Sequence, residues 1–183
     1  MGHIQTLDGS VLMVVDVQEN HYPHCFARDE TLDTMVRVVE AAKILGAPMV
    51  LTEHYPKVFG ATVGPLAQAT AGVEPLGKLH FSCLADEAIA RRVDELGART
   101  VVLIGTETHI CICQTALMAL ERGLSATVVA DAVTARRPHD HEAALARLRA
   151  AGVEVLTWES LIYEWMREGG TPTFRSVLPI VKR

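Results

Sequence analysis

Residues 101–111 of the chain read Val101-Val102-Leu103-Ile104-Gly105-Thr106-Glu107-Thr108-His109-Ile110-Cys111. The four leading apolar residues show no polar alternation, which is typical of a strand buried on both faces of a parallel sheet. The residues after them begin a helical pattern, so Cys111 is expected near a helix N-terminus that follows a strand. The unpaired N–H groups and partial positive charge there favour the thiolate form of a cysteine. An isolated cysteine is more often a core residue, so this interpretation depends on the rest of the chain.

The same unit of strand and helix recurs along the chain. Apolar runs lie near 11–16, 48–52, 101–105, 126–130 and 153–157, and they alternate with helical patterns near 30–46, 84–97, 110–123, 139–151 and 158–168. This alternation predicts one three-layer α/β/α domain over residues 1–183, with helices on both faces of a mostly parallel sheet. Two stretches without periodicity, 17–29 and 53–71, are expected to be loops that line a ligand site, the second one as a surface loop or lid.

Two further polar residues stand at predicted strand ends. Asp16 ends the first apolar run, and Lys78 follows the short segment 73–77. Ligands of open α/β sheets bind beyond the carboxyl ends of the strands, so Asp16, Lys78 and Cys111 are expected to meet in one crevice. Taken alone, Asp16 is equally well explained as a helix N-cap, and Lys78 is better explained as a solvated surface amine. Their joint position favours a functional site.

The composition restricts the class of protein. Of 183 residues, 49% are hydrophobic and 21% are charged, and the formal net charge is -5. These values predict a globular protein without the basic field that nucleic acid binding needs. No apolar run approaches the roughly 20 residues of a membrane-spanning helix, and no basic segment precedes the first run, so we expect a cytoplasmic protein outside the membrane. The four cysteines lack Cys-x-x-Cys spacing, which indicates free thiols in a reducing compartment.

Three motifs around these residues resemble those of the isochorismatase-like cysteine hydrolases. They are Val14-Val15-Asp16-Val17-Gln18, Gly77-Lys78-Leu79-His80-Phe81-Ser82 and Thr108-His109-Ile110-Cys111-Ile112-Cys113-Gln114-Thr115-Ala116. Four more stretches are similar to the branch called isochorismatase domain-containing proteins. They are Thr52-Glu53-His54-Tyr55-Pro56-Lys57, Val129-Ala130-Asp131-Ala132-Val133, Leu145-Ala146-Arg147-Leu148 and Glu159-Ser160-Leu161. The resemblance extends over nearly the whole chain.

The resemblance implies a Rossmann-like sheet of six strands in the order 3-2-1-4-5-6, with strands 1 and 4 side by side. It implies a catalytic triad of Asp16, Lys78 and Cys111, and a cis peptide between Thr106 and Glu107. The backbone N–H groups of Glu107 and Cys111 would then form an oxyanion hole. A homo-oligomer is expected as well, and the candidates for its apolar contact lie near the C-terminus: Phe174, Val177, Leu178, Ile180 and Val181.

The triad indicates a hydrolase that acts on a C–N bond of a small amide-like substrate. Cys111 would attack the carbonyl carbon to form a thioester, Asp16 would carry the thiol proton to the leaving amine, and Lys78 would keep Asp16 ionised. One alternative is an isochorismatase-type vinyl-ether hydrolase, in which Asp16 donates a proton and no covalent intermediate forms. Another is a non-catalytic small-molecule-binding or scaffold protein with the same fold.

The remaining candidate residues concern the substrate, a metal and the choice of nucleophile. The substrate is expected to contact His21, His24, Tyr55 and Phe81. Neither a metal nor another cofactor is expected, because the segment around Glu53 and His54 departs from the Asp-x-His motif of the nicotinamidase branch. Cys113 competes with Cys111 as nucleophile, but two residues turn a helix by about 200°, so both cannot face the crevice. Cys113 is therefore expected to pack in the core.

Overall fold

The computed structural model describes residues 4–183, and its centre is a sheet of six parallel strands. The strands are β1 Ser10–Val15, β2 Met49–His54, β3 Pro75–Lys78, β4 Thr100–Thr106, β5 Ser125–Thr134 and β6 Glu154–Leu156. Their order across the sheet is β3-β2-β1-β4-β5-β6, with every neighbouring pair parallel. The expected strand order is confirmed, so the carboxyl ends of β1, β2, β3 and β4 lie along one edge.

Helices cover both faces of this sheet. They are α1 Arg28–Leu45, α2 Pro56–Phe59, α3 Gly64–Ala69, α4 Glu87–Glu95, α5 Cys113–Glu121, α6 Pro138–Ala150, α7 Trp158–Met166 and α8 Pro172–Val181. Helices α4, α5 and α6 share one core cluster with the sheet, while α1, α3, α7 and α8 share the other. Within residues 4–183, none of these helices combines the length and apolar character needed to cross a membrane.

Strand β1 shows why the apolar runs lack polar alternation. Val11, Met13 and Val15 belong to the cluster beneath α4, α5 and α6, whereas Leu12 and Val14 belong to the cluster beneath α1, α7 and α8. Every side chain of the strand is buried. Both faces of the sheet are therefore shielded from solvent at β1. The next charged side chain, Asp16, comes only after the carboxyl end of the strand.

The two segments expected as loops fold against each other. Residues 53–71 contain α2 and α3, which escaped the sequence pattern because they have only 4 and 6 residues. Gln18 and Thr62 form an antiparallel bridge between the segments. The Gln18 side chain also donates to the Gly60 carbonyl and accepts from the His54 N–H, both at 2.7 Å. These contacts build an ordered wall beside the carboxyl ends of β1 and β2.

The C-terminal segment corrects part of one expectation, because three of its five candidate residues pack within the chain, while Phe174 and Leu178 are half-buried and stay candidates. Its apolar residues were candidates for self-association, but they form α8, which packs on α1 within the same chain. Val177 is fully buried, and Ile180 and Val181 lie against the same core cluster. Their spacing of three and four residues places all three on one side of the helix. That side is used for the fold of its own chain and is not available for a contact between chains.

Candidate active site

Asp16 lies directly after β1, where contacts from both neighbouring strands fix it. Its backbone is left-handed (φ 55°), a conformation that aspartate tolerates better than most residues. Its N–H donates to the Thr52 carbonyl at 3.1 Å, and its own carbonyl accepts from the Thr106 hydroxyl at 2.8 Å. On β4, Gly105 leaves room for this approach, because a Cβ there would lie 2.1 Å from the Val15 carbonyl oxygen. The carboxylate is 4% exposed.

Lys78 is the last residue of β3, and its side chain is fully buried. Its Nζ donates to Oδ2 of Asp16 at 2.6 Å and to the His80 carbonyl at 3.1 Å, and it lies 3.6 Å from Sγ of Cys111. Burial acts to lower its pKa, but the acidic groups of Cys83, Asp16 and Cys111 raise it. Lys78 is therefore a fixed cation that touches both other members of the predicted triad.

Cys111 lies in a π-helical turn, Thr108–Ile112, that runs into α5, and it is 6% exposed. Burial, followed by the Asp16 carboxylate, raises the pKa of its thiol, and the opposing effect of Lys78 is smaller. The helix terminus and Lys78 favour the thiolate, but desolvation and the neighbouring Asp16 carboxylate outweigh them. Cys111 is a protonated thiol at neutral pH.

Asp16 and Cys111 line a cavity of about 210 Å³. The other lining residues are Gln18, His21, His54, Phe59, Phe81, Thr106, Glu107, Ile110 and Arg136. Lys78 lies behind the first two, out of contact with the cavity. Pockets for drug-sized ligands usually measure about 300–1,000 Å³, so this cavity suits a smaller molecule.

A second buried carboxylate, Glu107, faces the same cavity and is 5% exposed. Its Oε1 lies 2.8 Å from Nε of Arg136 and 3.0 Å from Nε2 of His21. Its Oε2 accepts from the Arg136 backbone N–H at 3.3 Å and lies 3.5 Å from Nδ1 of His109. Burial acts to raise the pKa of Glu107, but the hydrogen bond with His21 and the N–H and charge of Arg136 lower it to about 2. No local sequence signal identified this side chain, because its partners are distant in the chain.

Three rings form an apolar wall of the cavity. The His54 ring stacks on Phe59 with centroids 5.7 Å apart, and its centroid lies 5.6 Å from that of Phe81. Burial, followed by the charge of Lys78, lowers the pKa of His54, so its imidazole is neutral at neutral pH. The sequence motif around His54 bears only on a metal, and the place of its ring in this wall is visible only in the structure.

The four residues expected to contact substrate separate into two pairs. His21 and Phe81 line the cavity. His24 is exposed on the 3-10 turn Tyr22–His24, and Tyr55 is 45% exposed on a neighbouring groove beside Leu79. The structure does not bring this second pair to the cavity, because the short turn and the start of α2 direct both side chains outward.

The alternative nucleophile, Cys113, lies outside the cavity. It is 1% exposed within the core cluster beneath α5, and burial raises the pKa of its thiol. The expectation that it packs in the core is confirmed.

The peptide bond between Thr106 and Glu107 is cis, as the resemblance implied. The oxyanion hole formed by the N–H groups of Glu107 and Cys111 stays a prediction.

Glu53, in the segment that departs from the Asp-x-His motif, has a structural partner. Its Oε1 accepts from the N–H and from the hydroxyl of Thr62, both at 2.8 Å. The carboxylate therefore holds the wall between β2 and α3. In the part of the chain that the structure describes, residues 4–183, no group of three or more His, Cys, Asp or Glu side chains is placed to hold a metal ion.

Comparisons with known proteins agree with this fold and with the motifs. Isochorismatase domain-containing protein 2 of Danio rerio is 35% identical over 178 residues, which cover 97% of this chain and 88% of that protein. The MAR1 ribonuclease of Caenorhabditis elegans superposes with a TM-score of 0.91 at 31% identity, covering 98% of this chain and 92% of that one.

A more distant structure shows the same fold. The YcaC gene product of Escherichia coli, described as an octameric hydrolase of unknown specificity, superposes with a TM-score of 0.86 at 20% identity, covering 97% of this chain and 86% of that one. The family model of the isochorismatase domain matches residues 10–160, which include Asp16, Lys78 and Cys111. The chain therefore belongs to the isochorismatase family.

Proposed function

We propose that the protein is a cysteine hydrolase that cleaves a C–N bond of a small amide-like molecule through a thioester on Cys111. One observation carries the proposal: the buried Nζ of Lys78 lies 2.6 Å from Oδ2 of Asp16 and 3.6 Å from Sγ of Cys111. A thiol, a carboxylate and a fixed cation at one small cavity supply a nucleophile, a proton carrier and a compensating charge.

Acylation starts from the protonated thiol. As Sγ of Cys111 bonds to the substrate carbonyl carbon, its proton moves to Asp16 and the C=O π electrons move to the oxygen. The N–H groups of Glu107 and Cys111 hold that oxyanion in this proposal. When the C–N bond breaks, the amine nitrogen takes the proton from Asp16 and the acyl group remains as a thioester. Lys78 offsets the negative charge of Asp16 before and after this transfer.

Deacylation repeats these steps with water. A water molecule gives one proton to Asp16 while its oxygen bonds to the thioester carbon. The C–S bond then breaks, and Sγ of Cys111 takes the proton back from Asp16. The products are a carboxylic acid and an amine, and the protein returns to its starting state.

The cavity indicates a small substrate with a flat or apolar acyl group. The wall of His54, Phe59 and Phe81 offers neutral ring surfaces. Arg136 holds Glu107 through Nε while its side chain stays 54% exposed, so a ligand can contact its guanidinium without displacing Glu107. A guanidinium pairs well with a planar carbonyl or carboxylate group. We therefore propose that Arg136, with His21, orients a polar group of the substrate.

A panel of small amides tests the proposal. Wild-type protein should hydrolyse at least one of them, and acid-quenched single-turnover samples should show an acyl adduct by intact mass, placed on Cys111 by peptide mapping. Cys111→Ala should lose the adduct and the turnover, whereas the matched control Cys113→Ala should keep both. Turnover of a small vinyl ether that survives Cys111→Ala, without any adduct and without turnover of an amide, would favour the proton-donor alternative. Ligand binding without turnover of any compound would favour a binding protein.

RNA cleavage is a second activity to assay, because the similar protein from Caenorhabditis elegans is named a ribonuclease. The net charge of -5 and the small cavity support the expectation that this chain does not act on nucleic acid. The same preparation that hydrolyses an amide should leave single-stranded RNA intact. Cleavage of RNA that disappears in Cys111→Ala would contradict this expectation.

We also propose a homo-oligomer in a cytoplasmic, reducing setting. Large apolar side chains are exposed near the cavity: Tyr55 (45%), Val58 (50%), Leu79 (67%) and Phe81 (51%). The octameric Escherichia coli protein with the same fold supports assembly, and the four free cysteines suit a reducing compartment. Multi-angle light scattering should show an oligomer for the wild type and a smaller species for Leu79→Ser.

A further inference from the structure

Two polar side chains lie behind Asp16 and are not used by the proposed mechanism. Thr52 and Cys83 are both fully buried, and neither lines the cavity. The Thr52 hydroxyl lies 2.8 Å from Oδ1 of Asp16, and Sγ of Cys83 lies 3.7 Å from the same hydroxyl oxygen. A buried polar chain that ends on the proton carrier affects the charge of that carrier.

The direction of this hydrogen-bond chain follows from the groups themselves. A carboxylate can only accept, and a hydroxyl has one hydrogen, so Thr52 must donate to Asp16. The Thr52 oxygen then accepts from the Cys83 thiol, which holds the hydroxyl in this orientation. On the other carboxylate oxygen, Lys78 donates at 2.6 Å. Both oxygens of Asp16 therefore have a donor, an arrangement that stabilises the carboxylate over the neutral acid.

We propose that the Thr52 hydroxyl, held by the Cys83 thiol, is a positioning group that keeps the proton shared by Asp16 and Cys111 on Cys111 in the resting protein. This inference rests on the proposed function, in which these two groups exchange that proton. The pair has two forms of equal net charge, namely carboxylate with thiol and neutral acid with thiolate. Of the two members of this pair, the Thr52 hydroxyl bonds to Asp16 and favours the first form, whereas Lys78 contacts both.

Removal of the Thr52 hydroxyl should destabilise the form with the Asp16 carboxylate relative to the form with the neutral acid. The fraction of Cys111 present as thiolate at neutral pH then rises. One hydrogen bond to a charged group corresponds to about a tenfold change in this fraction. The other titratable groups that face the pair are Lys78 from β3, Cys83 from the turn before α4 and His54 from the end of β2. The substitution leaves all three in place.

Alkylation of Cys111 by iodoacetamide tests the inference without any substrate, because the thiolate is the reacting form. Rates are measured by mass spectrometry from about pH 5 to about pH 9. In Thr52→Val the rate at neutral pH should rise about tenfold. Thr52→Ser should restore the wild-type profile. Cys83→Ala should give a smaller increase in the same direction, because Thr52 loses the donor that orients it.

Thr115→Val is the matched control. The Thr115 hydroxyl is also fully buried and accepts from the Cys83 N–H at 2.9 Å, but it does not contact the Asp16 carboxylate. Its loss should lower the melting temperature and leave the alkylation profile unchanged. A folded Thr52→Val protein with the wild-type profile overturns the inference, as does a Thr115→Val profile that changes equally. If Thr52→Val does not fold, an unchanged profile in Cys83→Ala overturns it.

The amide panel separates this inference from the proposed function. If Thr52→Val changes the profile as expected while no amide is hydrolysed by the wild type, the hydrolase proposal fails and the proton distribution stands. If amides are hydrolysed through Cys111 while Thr52→Val keeps the wild-type profile, the hydrolase proposal stands and the role of Thr52 is overturned.

Discussion

Asp16 and Glu107 are two buried carboxylates at one cavity, and they are held in different ways. They are 4% and 5% exposed, respectively. Asp16 pairs with Lys78, whose side chain is fully buried and whose Nζ lies 3.6 Å from Sγ of Cys111. Glu107 pairs with Arg136, whose side chain is 54% exposed, and with His21.

The difference shows that equal burial does not give equal chemistry. The cation beside Asp16 also touches the thiol, so the charge of Asp16 is coupled to the proton of Cys111. The donors around Glu107 lower its pKa to about 2, which leaves it unable to carry a proton near neutral pH. We infer that Asp16 exchanges protons during the reaction, whereas Glu107 holds Arg136 and His21 in place at the cavity.

The largest contrast is expected when each carboxylate becomes an amide. Asp16→Asn removes the proton carrier and should lower kcat/KM for a hydrolysed amide by about 10²–10⁴-fold. Glu107→Gln keeps the shape and one acceptor, and should lower it by about tenfold. Steady-state kinetics on one substrate measure both variants. Equal losses would mean that the two carboxylates share the proton-transfer role, and the distinction between them would be wrong.

The pH dependence of stability should distinguish Glu107 further from Asp16. Its pKa is about 2 in the folded protein against about 4.3 in an unfolded chain, so its ionisation stabilises the fold above about pH 5 and this contribution is lost as the pH falls towards 2. At neutral pH the contribution is on the order of 3 kcal/mol, and at pH 3 about half of it remains. Urea unfolding should show that the free energy of unfolding of the wild type exceeds that of Glu107→Gln by less at about pH 3 than at neutral pH. A difference that does not change with pH would contradict the lowered pKa.

A smaller effect is expected from the exposed cation of the Glu107 cluster. Arg136→Gln should raise KM by about tenfold for an amide that carries a second carbonyl or carboxylate group, with a lesser change in kcat, because the guanidinium orients the substrate. Arg137→Gln is the matched control, since Arg137 is the next residue and is exposed outside the cavity. A similar change in both variants would indicate a general charge effect and not a contact at the cavity.

The smallest expected effect is that of chelation. The proposed reaction already has a nucleophile, a proton carrier and an oxyanion site, so water activation by a metal would duplicate the role of Cys111. Amide hydrolysis should survive prolonged treatment with EDTA. Loss of activity that Zn²⁺ or Fe²⁺ restores would show that His54, His21 or the two carboxylates have a role as ligands.

The parts of the site that sequence could predict are those with a local signature. Asp16 and Lys78 stand at the ends of strands, and Cys111 stands between a strand and a helix, so the α/β pattern alone places them at one edge of the sheet. The parts it missed have no such signature. Glu107 was considered only for its backbone N–H, and the wall around His54 joins residues from separate segments. His24 and Tyr55 were predicted from their place in the segments 17–29 and 53–71, and neither lines the cavity in the structure.

The sequence alone established an α/β fold with a parallel sheet and brought Asp16, Lys78 and Cys111 to one edge of it, and the family resemblance added the strand order and the role of the three residues as a triad. These properties depend on the pattern of apolar residues and on short motifs, which are written along the chain. The protonated state of Cys111, the fixed charge of Glu107 and the hydrogen bond from Thr52 to Asp16 emerged only from the folded chain. The physical reason is that protonation depends on desolvation and on charges a few ångströms away through space. The groups that supply those charges and that burial come from β1, β2, β3 and the segments after β4 and β5, which only the fold brings together.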